Sequence, residues 1–201
     1  MPSSLSGPRD VTVAAPRAAV GTASRRTVPI RPAEAQDAAQ VAWLHHLGWT
    51  EGYRGLLPDD YLDSLSLPAC RARWEATLSS PSVVTVLVAG AVEVLGFASY
   101  GPCCDPDAPA AGELWDLWVA GEARGRGIGK ALLAAALDAL AVDHHHQVAV
   151  TWVLAANSRG RAFYEREGAL RDRLARTAGP VHDIRYLWDL RGRLAAEAGS
   201  E

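Results

Sequence analysis

Short β-branched runs alternate along the chain with longer stretches in which apolar positions return every three or four residues. Residues 27–31 read as a short edge strand that Pro32 ends. Over 33–48 the alanines at 35, 38, 39 and 42 fall with Leu44 and His45 near one side, which predicts a helix. Pro58-Asp59-Asp60 opens a short helix through Leu65, with Asp available to cap it. Residues 67–79 read as a third helix with Pro68 in its first turn. The runs 83–89 and 92–100, split by Gly90-Ala91, have the pattern of a hairpin. A Pro- and Asp-rich loop over 101–112 precedes a strand at 113–119. The helix predicted from about 127 to 142 places Ile128, Leu132, Leu133, Ala136, Leu137 and Leu140 on one stripe, so it packs against a sheet. The nearly continuous apolar run 147–154 reads as a buried central strand. Residues 158–167 form a short helix ended by Gly168, and 169–173 with 183–190 read as a last strand pair.

Strands interleaved with helices at this spacing predict an α/β fold, a mixed, twisted sheet with helices on both faces. One domain over 27–190 is expected, with a Ser/Ala/Pro/Gly/Arg-rich disordered lead-in at 1–26 and a polar tail at 191–201. No internal repeat is evident. Hydrophobic residues make up 49% of the 201, enough for a real core. The net charge of −3 argues against nucleic-acid or membrane-surface partners, which call for a basic surplus. Cys70, Cys103 and Cys104 do not make a disulfide framework. No apolar run approaches the roughly 20 residues of a membrane span, and no signal-peptide core is seen, so a reducing cytoplasm is the expected location.

The most informative segment is Arg124-Gly125-Arg126-Gly127-Ile128-Gly129-Lys130, between a strand and an alanine-rich helix. Glycines let the backbone turn tightly and approach a ligand, and the helix N-terminus offers free N–H groups to an anion. With the cations of Arg124, Arg126 and Lys130, the segment reads as a pyrophosphate cradle. Two other phosphate loops are excluded by spacing. A Walker loop needs Gly where Arg124 stands and a hydroxyl where Ala131 stands. A dinucleotide fingerprint needs a third glycine at 130 or 132, which are Lys and Leu.

The spacing Arg-x-x-Gly-x-Gly entered from a strand resembles the acyl-CoA loop of the GNAT superfamily of N-acyltransferases. Asn157 followed by Phe163-Tyr164-Glu165-Arg166-Glu167-Gly168 is similar to that superfamily's downstream signature, and 49–58 resembles a segment common in one bacterial branch. The resemblance covers roughly residues 27–190. It implies a fold in which the strands before and after the loop helix splay apart and receive the pantetheine arm of acetyl-CoA. By that analogy the backbone groups of Leu117, Trp118 and Val119 bind the arm, Asn157 holds its amide, and the 124–130 loop holds the diphosphate. No metal or other cofactor is implied, and a homodimer is common in the family.

Transfer of an acyl group to an amine poses two proton problems. A lysine-type amine of pKa about 10.4 is neutral only about once in 2,500 molecules at pH 7, so it needs a base. The departing thiolate must be stabilised, and a phenol near pKa 10 can protonate it. Tyr164, at the family's tyrosine position, is the candidate acid, against a plainer role as a core aromatic beside Phe163. Glu113 is the candidate base, at the offset from the loop that several family members use, against a solvated strand end or deprotonation through ordered water. Alternation puts Glu113 with Trp115, Leu117 and Val119, opposite Asp116, a second candidate carboxylate. Asn157 also stands where it can cap a helix. Trp49, Tyr53, Trp115 and Trp118 are candidate acceptor-pocket aromatics, the family favouring Trp49 and Tyr53. His144-His145-His146 point to alternating directions and read as a turn rather than a metal site. Ala169, where the family often has Phe, is expected to loosen packing behind Tyr164.

The expected activity is transfer of the acetyl group from acetyl-CoA to a primary amine of a small molecule or peptide. The alternatives are a non-catalytic acyl-CoA-binding or regulatory module, and acetylation of a protein- or tRNA-linked amine.

Overall fold

A computed structural model describes residues 28–80, 83–106, 108, 111–142 and 144–193. The expected lead-in at 1–26, the first residue of the expected edge strand and the tail beyond 193 lie outside the described residues. A seven-stranded sheet runs in the order β1-β2-β3-β4-β5-β7-β6. Its strands are β1 (Ile30–Pro32), β2 (Thr85–Ala89), β3 (Gly96–Pro102), β4 (Gly112–Val119), β5 (Val148–Leu154), β6 (Leu170–Ala178) and β7 (Val181–Asp189). All neighbours are antiparallel except β4 and β5, which the helix α4 (Ile128–Val142) joins in parallel.

Alternation divides the strand side chains between two cores. Leu87, Ala89, Ala98, Tyr100, Leu114, Ala149 and Val153 meet the α4 stripe of Ile128, Leu132, Leu133, Ala136, Leu137 and Leu140. On the other face, Val86, Val88 and Phe97 meet Val41 and Ala42 of α1 (Ala38–Thr50) and Trp74 of α3 (Leu67–Ser79). Ser66 caps α3 by accepting the Ala69 N–H. In the short α2 (Asp59–Asp63) Pro58 takes the cap position instead of an aspartate, and Asp59 and Asp60 sit in the first turn, where the helix dipole favours them. At the sheet's first edge, buried Asp37 accepts two hydrogen bonds from Arg31 (2.7 and 2.9 Å) and one from the Glu34 N–H (2.8 Å). That network ties β1 to the start of α1. Among the described residues no helix is long and apolar enough to cross a membrane.

Two strand pairs differ from the sequence expectation. The second arm of the hairpin starts at Gly96 rather than 92. The Leu95 N–H returns to Ala89 O at 2.8 Å and closes a wider turn, with Val92 83% exposed at its tip. The last pair is longer than expected, because Gly179 at φ 57° joins β6 and β7 in a tight turn. His144–146 form a turn between α4 and β5, as the sequence suggests.

Candidate active site

β4 and β5 pair only where Gly112 faces Ala149 and Glu113 faces Val150. At the next step the buried Thr151 donates its hydroxyl to Leu114 O at 2.9 Å, and the strands then diverge. β5 continues along β7 to Leu154 while β4 continues along β3 to Val119, which produces a fork. The Ala120 N–H bonds Leu95 O, so antiparallel alternation sends the N–H and C=O of Trp118 toward β3 and those of Leu117 and Val119 into the fork. Trp118 therefore does not offer its backbone to an added strand, unlike Leu117 and Val119. The Val119 carbonyl already accepts from Arg124 Nε at 3.1 Å.

Above the fork mouth, Gly125 (φ 74°) and Gly127 (φ 83°) turn the chain through left-handed backbone, and nothing lies within 4 Å of where a Cβ on either would stand. Arg124, Arg126 and Lys130 are exposed around that turn, and Lys130 Nζ is 3.3 Å from Glu167. Exposed cations, open glycine backbone and the first N–H groups of α4 suit a diphosphate, while the free backbone edge of β4 suits an extended amide-bearing arm. The fork and loop together fit acetyl-CoA in its two chemically different parts. Among the described residues no group of three metal-ligating side chains converges.

Tyr164 comes from α5 (Ser158–Arg166), whose N-terminus Asn157 caps through Oδ1 to the Gly160 N–H at 2.9 Å. The phenol lies at the fork vertex beside the Thr151 hydroxyl, and burial pushes its pKa well above the ordinary value, with Tyr53 and Asp116 adding to the effect. It is enclosed by protein on most sides yet keeps a part-exposed ring, as expected deep in an open cleft. Phe163 and Trp188 pack edge-on against it with ring centres 5.2 and 5.6 Å away. Trp188 is held there by its indole N–H, which donates to Glu167 O at 3.1 Å.

Glu113 is buried at the closed end of the fork, and Oε2 accepts the Cys104 N–H at 3.3 Å. Its facing corrects the sequence expectation. The β3–β4 register shifts so that Tyr100 opposes Leu114 and Ser99 opposes Asp116, leaving Trp115 as an extra, bulged residue. Leu114 and Leu117 consequently both pack toward α4, which leaves Glu113 and Asp116 on the α1 face together. Glu113 lines a cleft of about 440 Å³ with Trp115, Trp152 and Arg176.

Asp116 lies nearer the mouth and has protein partners. Oδ2 accepts from Ser99 Oγ at 2.6 Å and lies 3.9 Å from Arg73, and Oδ1 is 3.6 Å from His45 Nε2. The Trp74 indole N–H donates to His45 Nδ1 at 3.0 Å, which requires a lone pair there, so the neutral ring carries its proton on Nε2, facing Asp116. Burial lowers the His45 pKa against the opposing pull of Asp116, in keeping with that neutral form. Trp49 and Tyr53 stack edge-on at 5.1 Å, and Tyr53 meets Trp118 at 5.5 Å. Burial raises the Tyr53 phenol to about 12, with Asp183 and Asp116 contributing and Asn157 opposing. The structure thus brings Tyr164, Asn157, Tyr53 and Asp116 around the fork and sets Glu113 at its closed end. Thr151, His45, Trp152 and Arg176 complete the surroundings. None carries a local sequence signal, since each acts through a partner distant in the chain.

Residues 49–169 match the family described as "Acetyltransferase (GNAT) family". The uncharacterised N-acetyltransferase YuaI of Bacillus subtilis (strain 168) is 32% identical over 132 residues, 65% of this chain and 73% of that protein. The PaiA N-acetyltransferase of Thermoplasma acidophilum, solved in complex with coenzyme A, superposes with a TM-score of 0.64 at 20% identity, covering 81% of this chain and 99% of its own. A ribosomal-protein-alanine N-acetyltransferase from Brucella melitensis superposes with a TM-score of 0.62 at 23% identity over the same shares. A match over 49–169 takes in the fork, the glycine turn and Tyr164 alike, and on it the chain belongs to the GNAT family of acetyltransferases.

Proposed function

We propose that this chain is an N-acetyltransferase that moves the acetyl group of acetyl-CoA to a primary amine by direct attack. The observation that carries the reading is the fork, with the backbone edge of Leu117 and Val119 turned into it on one arm and the Tyr164 phenol at its vertex. The glycine turn at 124–130 supplies the diphosphate contacts, and Asn157 borders the arm while capping α5.

Acetyl-CoA supplies an activated thioester carbonyl. The acceptor nitrogen forms the new bond to that carbon as the C–S bond breaks. Glu113, directly or through water, takes the proton the amine gives up, and Tyr164 delivers its own to the sulfur. The raised phenol pKa keeps the proton on Tyr164 until charge develops on the departing sulfur, and desolvation of that thiolate in the same cleft narrows the gap in proton affinity between the two groups. Trp49, Tyr53 and Asp116 border the acceptor's approach.

Thiol release from acetyl-CoA across a panel of amines tests this reading. Amine-dependent release with N-acetylated product in equal amount is expected. Tight binding of coenzyme A with no amine-dependent release would leave a binding module on the same fold instead.

A further inference from the structure

The cleft beyond Glu113 has a charge pattern that nothing so far explains. Its walls are Trp115, from the β4 bulge, and Trp152, from β5. Glu113 closes one side, buried. On the other side Arg176 reaches in from β6, with its guanidinium 4.4 Å from the centre of the Trp152 ring. β4 and β6 lie three strand spacings apart in the sheet order, roughly 14 Å between axes, so the carboxylate and the guanidinium flank the aromatic wall from opposite sides.

Most other charges at the cleft are already answered. Asp105 is paired with buried Arg185 at 2.7 Å, and Arg185 also bonds Asp172. Arg176 spends only Nε on Asp183, at 3.3 Å, and its two Nη groups have no hydrogen-bond partner among the described residues. The Trp152 indole N–H is buried and likewise lacks one. Glu113 uses Oε2 for the Cys104 N–H, and a carboxylate retains capacity for more donors. The cleft therefore presents an acceptor of protons at one side, a guanidinium whose Nη groups are open among the described residues at the other, and flat apolar surface between them.

We propose that the acceptor of this acetyltransferase is an amine that also carries an anionic group, a carboxylate or phosphonate, on an apolar body of amino-acid to dipeptide size. Its nitrogen meets Glu113, its body lies along Trp115 and Trp152, and its anion takes the Nη groups of Arg176 as a bidentate pair. A polyamine is disfavoured in the same cleft because its second ammonium would meet that guanidinium. The inference rests on the transferase reading above for its reaction, but not for its binding.

Matched acceptors test it: amino acids and dipeptides with a free carboxylate, their C-terminal amides, and a polyamine. Each is followed by thiol release from acetyl-CoA and by calorimetric titration into protein saturated with coenzyme A. The free acids are expected to exceed their amides by roughly 10- to 100-fold in both kcat/KM and affinity. Arg176→Gln should bring the acids down to the level of their amides, and Arg176→Lys should recover part of the difference. Because Arg176 is half-exposed on an edge strand, both variants should fold. Amides or polyamine turned over as well as the acids would overturn the acceptor class and leave the transferase intact. Acid-selective binding lost in Arg176→Gln, without thiol release from any amine, would uphold the cleft assignment and overturn the transferase reading.

Discussion

Thr151 donates its hydroxyl to the Leu114 carbonyl at 2.9 Å, at the step where the backbone ladder between β4 and β5 stops. A side chain there takes the place of a strand-to-strand bond, so the buried carbonyl is satisfied while the strands are free to part. The same hydroxyl lies against the Tyr164 phenol. One small polar residue thus sets where the fork opens and what stands at its vertex. Thr151→Val keeps the shape but orphans the carbonyl, which costs roughly 1–3 kcal/mol. A fall in melting temperature together with a drop in kcat exceeding any rise in KM for acetyl-CoA is the expected result. A loss of stability with kcat intact would confine Thr151 to the fold.

Tyr164→Phe removes the proton donor and leaves the ring packed between Phe163 and Trp188. Turnover should fall by roughly 10- to 1,000-fold with acetyl-CoA affinity little changed. The raised phenol pKa carries a further consequence. Tyr164 remains protonated across the neutral and mildly alkaline range, so an alkaline fall in wild-type kcat below pH 10 should persist in the Phe variant at the same midpoint. A midpoint that moves with the substitution would assign that limb to Tyr164.

Glu113→Gln keeps the size and the Cys104 contact and removes the base. The loss in kcat/KM should be largest for lysine-like acceptors and smaller for amines of pKa near 8, about one in ten of which are already neutral at pH 7. Equal losses across that range of acceptor pKa would point to a structural role for the carboxylate.

The glycine turn separates strain from ligand approach. Gly127 sits at φ 83°, where a side chain costs about 1–2 kcal/mol, although an added Cβ would touch nothing. Gly129 has ordinary backbone, and a Cβ there would make only ordinary contacts with Val119 and Phe163, the nearest at 3.6 Å. Gly127→Ala should therefore lower stability and weaken coenzyme A binding together, measured by thermal shift and calorimetry. Gly129→Ala should weaken binding while leaving the melting temperature nearly unchanged. Unaltered affinity in both would remove this turn from the ligand's path.

These sites differ in how far the chain itself discloses them, and the reason is range. The glycine spacing at 124–130, the stripe of α4 and the cap at Asn157 are decided within one or two turns of backbone, so periodicity and residue type reveal them. The facing of Glu113 is not, because one extra residue at Trp115 reverses the alternation and no local pattern marks it. β6 was legible only in its first residues, since a polar edge strand with most of its side chains in solvent lacks the apolar alternation that reports a strand. His45 resembles any helix histidine until Trp74, 29 residues away, fixes its tautomer. Trp152 and Arg176 become neighbours only after β7 inserts between their strands.

The edge of the sheet far from the fork offers a pH test of stability. Asp37 is buried, and its hydrogen bond from Arg31 lowers its pKa against the opposing effect of burial, with the Glu34 N–H assisting. A carboxylate whose folded pKa lies below its unfolded value near 3.9 binds fewer protons when folded. Its contribution is therefore complete above that value and is lost as the pH falls through the lower, folded one. Asp37→Asn should cost roughly 1–3 kcal/mol at pH 7, because it breaks a charge-assisted pair at a buried site and leaves Arg31 without its partner. The difference between wild type and variant in urea unfolding should stay constant from pH 7 to about 4 and shrink below that. A gap that held steady down to pH 2 would mean that the Arg31 bonds do not favour the ionised carboxylate, and the tie between β1 and α1 would then rest on packing alone.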